Sequence, residues 1–148
     1  MKIRQSKVIK MSLEENKAVV RRIIYEFVNT GNTAVADDTF SADLIDHRPG
    51  QTDGGREDAK RFIVGLRQAF PDLEFKIEHL FGEADKVVVY VVGPGTHTGE
   101  FMGLPATGKK VVLRGITILR LADGKVVERW NITDIFGVLR QLGAKPTL

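Results

Sequence analysis

The segment VVERWNITDIFG, residues 126–137, carries the side chains best suited to chemistry. It has the composition of a β-strand, and successive side chains of a strand point to opposite faces. Glu128, Trp130 and Asp134 therefore share one face. Trp130 would lie about 13 Å from Asp134, at roughly 3.3 Å per residue, which suits a flat aromatic substrate along the strand. An aromatic ring and two carboxylates on one strand face are groups that can bind a flat ligand or transfer a proton.

The other reactive residue types narrow the chemistry. The chain has no cysteine, which excludes thiol nucleophiles, disulfides and thiolate metal sites. No GxSxG nucleophile motif is present. The three histidines show none of the HxH, HxxxH or HExxH spacings of metal sites, so the sequence predicts no metal. Acid/base chemistry at a carboxylate is what remains.

Length and composition indicate one globular domain. The chain has 148 residues, of which 43% are apolar and 28% charged. A chain of this length buries most of its unfolded surface without the help of disulfide bonds or metal ions. No apolar run approaches the ~20 residues that span a bilayer. The start, MKIRQSKVIKM, lacks the apolar region of a secretory signal. We expect a cytoplasmic protein that does not bind membranes.

The basic charge is concentrated at the start of the chain. Of the 22 Lys and Arg residues, four precede Met11, which leaves 18 against 19 Asp and Glu. A nucleic-acid-binding domain concentrates positive charge on its folded body, so we expect no nucleic-acid partner. Residues 1–11 are interpreted as a basic leader outside the fold, or alternatively as a basic arm, and residues 12–148 as a single domain.

Helices are predicted before strands. A capping box formed by Ser12 and Glu15 opens an amphipathic helix over residues 12–32. A short second helix is predicted over 33–44, which leads into an extended piece at 44–50, and a third helix over 55–70.

The rest of the chain is predicted to be strand. In residues 72–81, strict alternation places Leu73, Phe75, Ile77, His79 and Phe81 on one face. Further strands are predicted within 85–101, 111–121 and 125–136, and Asp123-Gly124 is a hairpin turn. Helices followed by an antiparallel meander indicate an α+β fold, in which a curved antiparallel sheet packs against the N-terminal helices as a cone with an open mouth.

Several fragments resemble the SnoaL-like polyketide cyclase family, which belongs to the nuclear transport factor 2-like superfold. They are DH at 46–47, AFPD at 69–72, GTHTGEFMGLPATGK at 95–109, DGKVVERW at 123–130 and Asp134. Their order and spacing cover most of the chain from about residue 13 onward. The resemblance implies the same α+β cone.

The resemblance also implies chemistry without a cofactor. Cyclases of this family close a ring by intramolecular aldol condensation in an apolar pocket, with one aspartate as general acid/base. By position that aspartate is Asp134, between Ile132 and Phe136 of the same parity. An apolar setting disfavours the charged carboxylate and raises its pKa toward the working range. The predicted partner is a small hydrophobic molecule.

Other pocket residues follow from the same resemblance. His47, in the DH pair, would polarise a carbonyl or relay a proton, and His97, in GTHTG, matches a family signature. Apart from the resemblance, either of the two tyrosines, Tyr25 or Tyr90, could donate a hydrogen bond to a carbonyl. The predicted substrate-binding residues are Trp130, Tyr25, Phe70, Phe101 and Ile132.

Each assignment has an alternative. Asp134 could cap the turn that follows it, Trp130 could be a core residue, and the histidines could make structural hydrogen bonds. The domain could bind a small ligand or a protein partner without turnover. The outer sheet face carries Ile116 and Ile118 beside Arg114 and Arg120, and covering such a face predicts a homodimer.

Overall fold

The computed structural model describes residues 11–145. The predicted leader, residues 1–11, lies outside the described residues apart from Met11. Within this range, three helical segments, one strand and a further helix precede four consecutive strands and a last short helix, and the five strands form one sheet, which confirms the α+β architecture. No helix within residues 11–145 is long and apolar enough to cross a membrane.

The first helix begins as the sequence predicts. The Ser12 side chain accepts from the amide of Glu15, and the Glu15 side chain accepts from the amide of Ser12. This helix continues without a break into a π-helix that buries four apolar side chains. The helical segments are α1 (Leu13–Arg22), the π-helix (Ile23–Val28), α2 (Thr33–Thr39), α3 (Arg56–Ala69) and α4 (Ile135–Gln141).

The sheet has one strand more than the meander predicted. Its order is β1-β5-β4-β3-β2, and β1 pairs in parallel with β5 while all the other pairs are antiparallel. The predicted all-antiparallel pairing is therefore wrong at one edge. The strands are β1 (Phe40–His47), β2 (Lys76–Glu83), β3 (Lys86–Thr96), β4 (Lys110–Ala122) and β5 (Lys125–Thr133).

The added strand β1 replaces the end of the predicted second helix. That helix was expected to reach residue 44, but α2 ends at Thr39. Phe40 is 1% exposed and Leu44 is 4% exposed, so an extended backbone brings both side chains into the core. Burial of these two apolar side chains outweighs the helix propensity of the short segment.

A bulge in β2 reverses the predicted alternation of its side chains. Ile77 pairs with Val91 and His79 pairs with Tyr90, so Glu78 is an extra residue in the ladder. Such a residue moves every later side chain to the other face. Phe81 is accordingly 58% exposed, and its predicted place on the buried face is wrong.

A second bulge sets the orientation of β5. Glu128 pairs with Arg120, but Val126 pairs with Leu121, which leaves Val127 as the extra residue. Val126 and Arg129 are both buried although their separation is odd. Beyond the bulge, odd-numbered residues of β5 face the concave side of the sheet.

The core lies between this concave side and the helices. Phe27 of the π-helix and Val89 and Leu113 of the sheet are central to it, and each is at most 1% exposed. A glycine allows the close approach of the segment after β3 to α3, since a Cβ on Gly99 would overlap the carbonyl oxygen of Gln68.

Asp134 is the N-cap of α4. Its Oδ1 accepts a hydrogen bond of 2.8 Å from the amide of Gly137, and the side chain is exposed. Replacing an N-cap aspartate by alanine costs about 1 kcal/mol, whereas asparagine caps a helix equally well.

We therefore expect Asp134→Ala to lower the free energy of unfolding by about 1 kcal/mol, with Asp134→Asn close to the parent. Urea denaturation followed by circular dichroism measures both. Equal stability of Asp134→Ala and the parent protein would contradict the capping role.

Candidate functional site

Two adjacent cavities that share lining residues lie between the sheet and the helices. The inner one has a volume of about 50 Å³ and is lined mainly by apolar side chains of α1, the π-helix, α3 and the sheet. The outer one, of about 550 Å³, opens at the mouth of the fold. The residues that line both are Phe62, Arg129, Asn131 and Thr133. Three of these four come from β5, so this strand forms the wall that joins the two cavities.

The cavity face of β5 is opposite to the predicted one. Arg129, Asn131 and Thr133 face the cavities, because the bulge at Val127 sets the parity of the strand. Trp130 therefore lies on the outer face, where its ring stacks on His47 with centroids 5.0 Å apart. A substrate platform formed by Trp130 does not fit this orientation.

Asp46 and Arg129 form the buried ion pair of the site. They are register partners on β1 and β5, with Asp46 Oδ1 3.1 Å from Arg129 Nε. Their side chains are only 4% and 8% exposed, and within residues 11–145 Asp46 is the one carboxylate of the buried set. Both side chains line the outer cavity.

The electrostatics of this pair have two opposing parts. Burial raises the pKa of Asp46 above its ordinary value, because it disfavours the charged form, while the positive charge of Arg129 opposes that rise. Burial also lowers the pKa of Arg129, although a guanidinium keeps its proton in proteins. The result is a carboxyl group able to hold a proton beside a fixed cation.

The surroundings of the pair fix its position. The amide and carbonyl of Asp46 each bond to Gly54 at 2.8 Å, which anchors the end of β1. The Arg129 guanidinium lies 5.9 Å above the ring of Phe40. Asp46 Oδ1 and Arg129 Nε are both buried and face each other at 3.1 Å, and neither atom makes a further hydrogen bond within the described part of the chain.

A neutral polar chain continues along the wall from Arg129. The Asn131 amide donates to the Thr117 hydroxyl at 2.7 Å and accepts from the Thr133 hydroxyl at 3.1 Å. All three side chains line the inner cavity. These hydrogen bonds fix the three side chains relative to one another and give the inner cavity one polar side.

His47 is held from both sides by carboxylates. Its Nε2 lies 2.7 Å from Glu128 and its Nδ1 lies 3.0 Å from Asp53. These bonds, that to Glu128 foremost, raise the pKa of His47. The bond to His47 and the one from Arg120 lower the pKa of Glu128. With both ring nitrogens engaged, His47 has none left for a substrate carbonyl; its predicted catalytic role stays a prediction that this geometry does not favour.

Asp134 does not have the predicted apolar setting. Its flanking residues Ile132 and Phe136 are 67% and 48% exposed, and Asp134 lines neither cavity. The position of Asp134 matches the alternative in which it caps the helix that follows it. Ile132 contributes to the rim of the outer cavity, as a predicted substrate contact would.

His97, Phe70 and Phe101 form part of the core away from the cavities. His97 is fully buried, and its Nδ1 bonds to the amide and the hydroxyl of Thr107 at 3.2 and 2.9 Å. Phe70 packs against His97 and Phe101 with ring centroids 5.5 and 5.2 Å apart. None of the three lines a cavity, so their predicted places in the pocket do not fit the structure.

Tyr25 likewise lies outside the cavities. It is 45% exposed, and its hydroxyl accepts a hydrogen bond of 3.4 Å from the amide of Ile77. Its predicted contact with a substrate carbonyl is therefore not available in this arrangement.

The sequence analysis missed Asp46 and Arg129. Both stand inside the fragments DH and ERW, next to His47, Glu128 and Trp130, which the sequence pattern singles out. One signal was present: Asp46 precedes His47, and Arg129 lies between Glu128 and Trp130, so each would face the opposite side of its strand. The register that pairs Asp46 with Arg129 could not be read from the sequence.

Metal ligation finds no support in the described region. Within residues 11–145 no group of three or more His, Asp or Glu side chains is arranged to hold a metal ion. The carboxylates near the mouth are bonded to arginines and to His47 instead.

Known proteins share this fold and its sequence pattern. The aklanonic acid methyl ester cyclase DnrD of Streptomyces peucetius is 30% identical over 136 residues, which cover 84% of this chain and 88% of that protein. Among solved structures, AclR of Streptomyces galilaeus has a TM-score of 0.82 at 29% identity, covering 93% of this chain and 86% of AclR. IdmH of Streptomyces antibioticus has a TM-score of 0.78 at 28% identity, covering 87% of this chain and 99% of IdmH.

The family assignment rests on most of the chain. The model of the SnoaL-like polyketide cyclase family matches residues 18–142, a range that includes both cavities and every strand of the sheet. The chain belongs to the SnoaL-like polyketide cyclase family.

Proposed function

We propose that this protein closes a ring in a polyketide-type carbonyl compound by proton transfer, without a cofactor, and that Asp46 is the acid/base group. One observation carries the assignment of Asp46: it is a buried carboxylate that lines the 550 Å³ cavity beside a buried arginine. The named activity of relatives such as DnrD supports the class of reaction.

An aldol ring closure needs few groups. Asp46 takes a proton from the carbon next to a carbonyl, and the resulting enolate carbon bonds to a second carbonyl carbon of the same molecule. The alkoxide formed there takes the proton back from Asp46. Atoms and electrons balance within the substrate, so neither an oxidant nor a reductant is needed. A carboxyl whose pKa is raised toward the working pH is suited to both transfers.

Arg129 supplies the complementary charge. The enolate oxygen and the alkoxide are anionic, and a guanidinium donates hydrogen bonds to such oxygens without losing its own proton. A fixed cation whose side chain is buried, as that of Arg129 is, stabilises charge that develops during the reaction. The placement of Arg129 between the two cavities supports this role.

The first test compares two aspartates. Asp46→Asn removes the group that exchanges the proton, and general acid/base catalysis contributes about 10²–10⁴ in rate, so we expect a loss of that size in kcat for aklanonic acid methyl ester. Asp134→Asn, which retains the helix cap, should keep nearly the parent rate. Product formation is followed by chromatography.

Stability is the control for this comparison, because Asp46→Asn leaves Arg129 buried without its charged partner, at a cost of about 3–5 kcal/mol. Circular dichroism and binding of the same ester establish that the variant is folded. A folded Asp46→Asn protein with the parent rate, or an inactive Asp134→Asn protein, would return the assignment to Asp134. Binding without turnover by the parent protein would favour the ligand-binding alternative.

The second test uses pH. Protonation of Asp46 removes the base, so kcat/KM falls as the pH drops through the pKa of Asp46. Arg129 lowers that pKa; replacing it by glutamine should therefore move the acidic limb to higher pH, while Arg129→Lys should leave the limb near its parent position. An acidic limb that does not move in Arg129→Gln would show that another group sets it.

We also propose a homodimer formed through the outer sheet face. Ile116 and Ile132 are register partners, and Ile118 pairs with Trp130. The three isoleucines are 48%, 67% and 37% exposed. A contiguous apolar patch of this kind usually marks an interface. Separately, we retain as a proposal the cytoplasmic location that the sequence predicts.

Light scattering at micromolar concentration should give the mass of a dimer. Ile116→Glu should yield a monomer, because it places a charge within the interface. Val64→Glu, an equivalent change at an exposed residue of α3, should remain dimeric. A parent protein of monomer mass would contradict the proposal.

A further inference from the structure

Three arginines and two aspartates line the outer cavity. Asp46 belongs to Arg129, and Asp58 lies near both Arg48 and Arg61. The cavity wall therefore carries more guanidinium groups than carboxylates. Each guanidinium has five N–H donors and no acceptor, so donors outnumber the carboxylate oxygens available within the wall.

Asp58, the carboxylate between Arg48 and Arg61, already accepts a hydrogen bond at each of its oxygens. Asp58 Oδ1 accepts from Arg61 at 2.6 Å, and Oδ2 accepts from the amide of Gly55 at 2.8 Å. Arg48 Nη1 lies 3.8 Å from the same Oδ1, beyond hydrogen-bond distance. These bonds, led by that from Gly55, lower the pKa of Asp58, so it stays a negatively charged counter-ion.

Arg48 retains unused donors. Its Nη2 donates to the carbonyl of Thr52 at 2.9 Å, which holds the group at the mouth. Its Nε is buried and has no hydrogen-bond partner within residues 11–145. An unpaired buried donor is costly, and a ligand oxygen would remove that cost. Arg61, with 71% of its side chain exposed, can turn toward the same ligand.

We propose that the substrate carries an anionic group, a free carboxylate or an equally acidic oxygen, which binds Arg48 and Arg61 at the mouth while its carbonyl carbons lie deeper, beside Asp46 and Arg129. This proposal rests on the proposed function of the cavity. It differs from the relatives in substrate class, because the named substrate of DnrD is a methyl ester, whose carbonyl end carries no charge.

The role assigned to Arg48 and Arg61 is discrimination between acid and ester. Both arginines lie at the mouth rather than between the cavities, since neither lines the inner cavity. Charge-assisted hydrogen bonds are stronger than those to a neutral ester by an amount that corresponds to about tenfold in affinity. The acid should therefore bind about tenfold more tightly than its methyl ester.

Calorimetric titration with aklanonic acid and with its methyl ester tests this proposal. The parent protein should prefer the acid about tenfold, and Arg61→Met should reduce that preference, because it lowers the affinity for the acid more than the affinity for the ester. Arg61→Lys, which keeps the charge, should restore part of it. Arg21→Met, the same change at an exposed residue of α1 outside both cavities, should keep the full preference.

Equal affinity of the parent protein for acid and ester would overturn the proposal, as would an equal loss of preference in Arg61→Met and Arg21→Met. Turnover of both probes, measured in parallel, separates the two proposals. Ring closure without preference for the acid would support the proposed function and contradict the anion site. A preference that depends on Arg61, without ring closure of either probe, retains the anion site and removes the proposed function.

Discussion

The pairing of Asp46 with Arg129 across β1 and β5 determines how this site is built. Two opposite charges can be buried only when each has the other as a partner, and here the parallel register places them side by side on the concave face. The same register places His47 beside Trp130 on the outer face. One strand pair therefore separates an interior ion pair from an exterior stack, and the chemistry follows from which residues lie inside.

The bulge at Val127 decides that orientation. Without an extra residue, the inward side chain of Val126 would place Glu128 and Trp130 inward as well. With it, Arg129, Asn131 and Thr133 turn toward the cavities. A bulge that redirects side chains beside a site is a recurrent use of this irregularity. The apolar walls of the inner cavity are continuous with the core, so the polar side of the chamber comes almost entirely from β5 and its neighbour Thr117.

The sequence predicted most of the architecture and little of the site. The capping box at Ser12, the periodicity of the first helix and the Asp123-Gly124 hairpin are local signals that predicted the α+β cone, and the order of the resembling fragments identified the family. The bulge in β2 has no local signal, because the sequence of that strand alternates regularly, and the Val126-Val127 pair of β5 does not by itself show which of the two residues is extra. A shift of one residue reverses the faces of a strand, and the sequence analysis therefore placed Trp130 and Phe81 on the wrong face.

Asp134 was ambiguous for a different reason. An aspartate before a short helix fits a cap as well as a catalytic group, and only its exposure and its bond to Gly137 distinguish them.

The central claim is that Asp46 is a buried acid whose affinity for protons is raised by its surroundings. Carbon-13 nuclear magnetic resonance of the aspartate side-chain carboxyl carbons, with Asp46 assigned from the Asp46→Asn spectrum, follows its titration directly. The account predicts a midpoint above the ordinary value of 3.8, which rises further when Arg129 is replaced by glutamine. A midpoint at or below that value in the folded protein would contradict it.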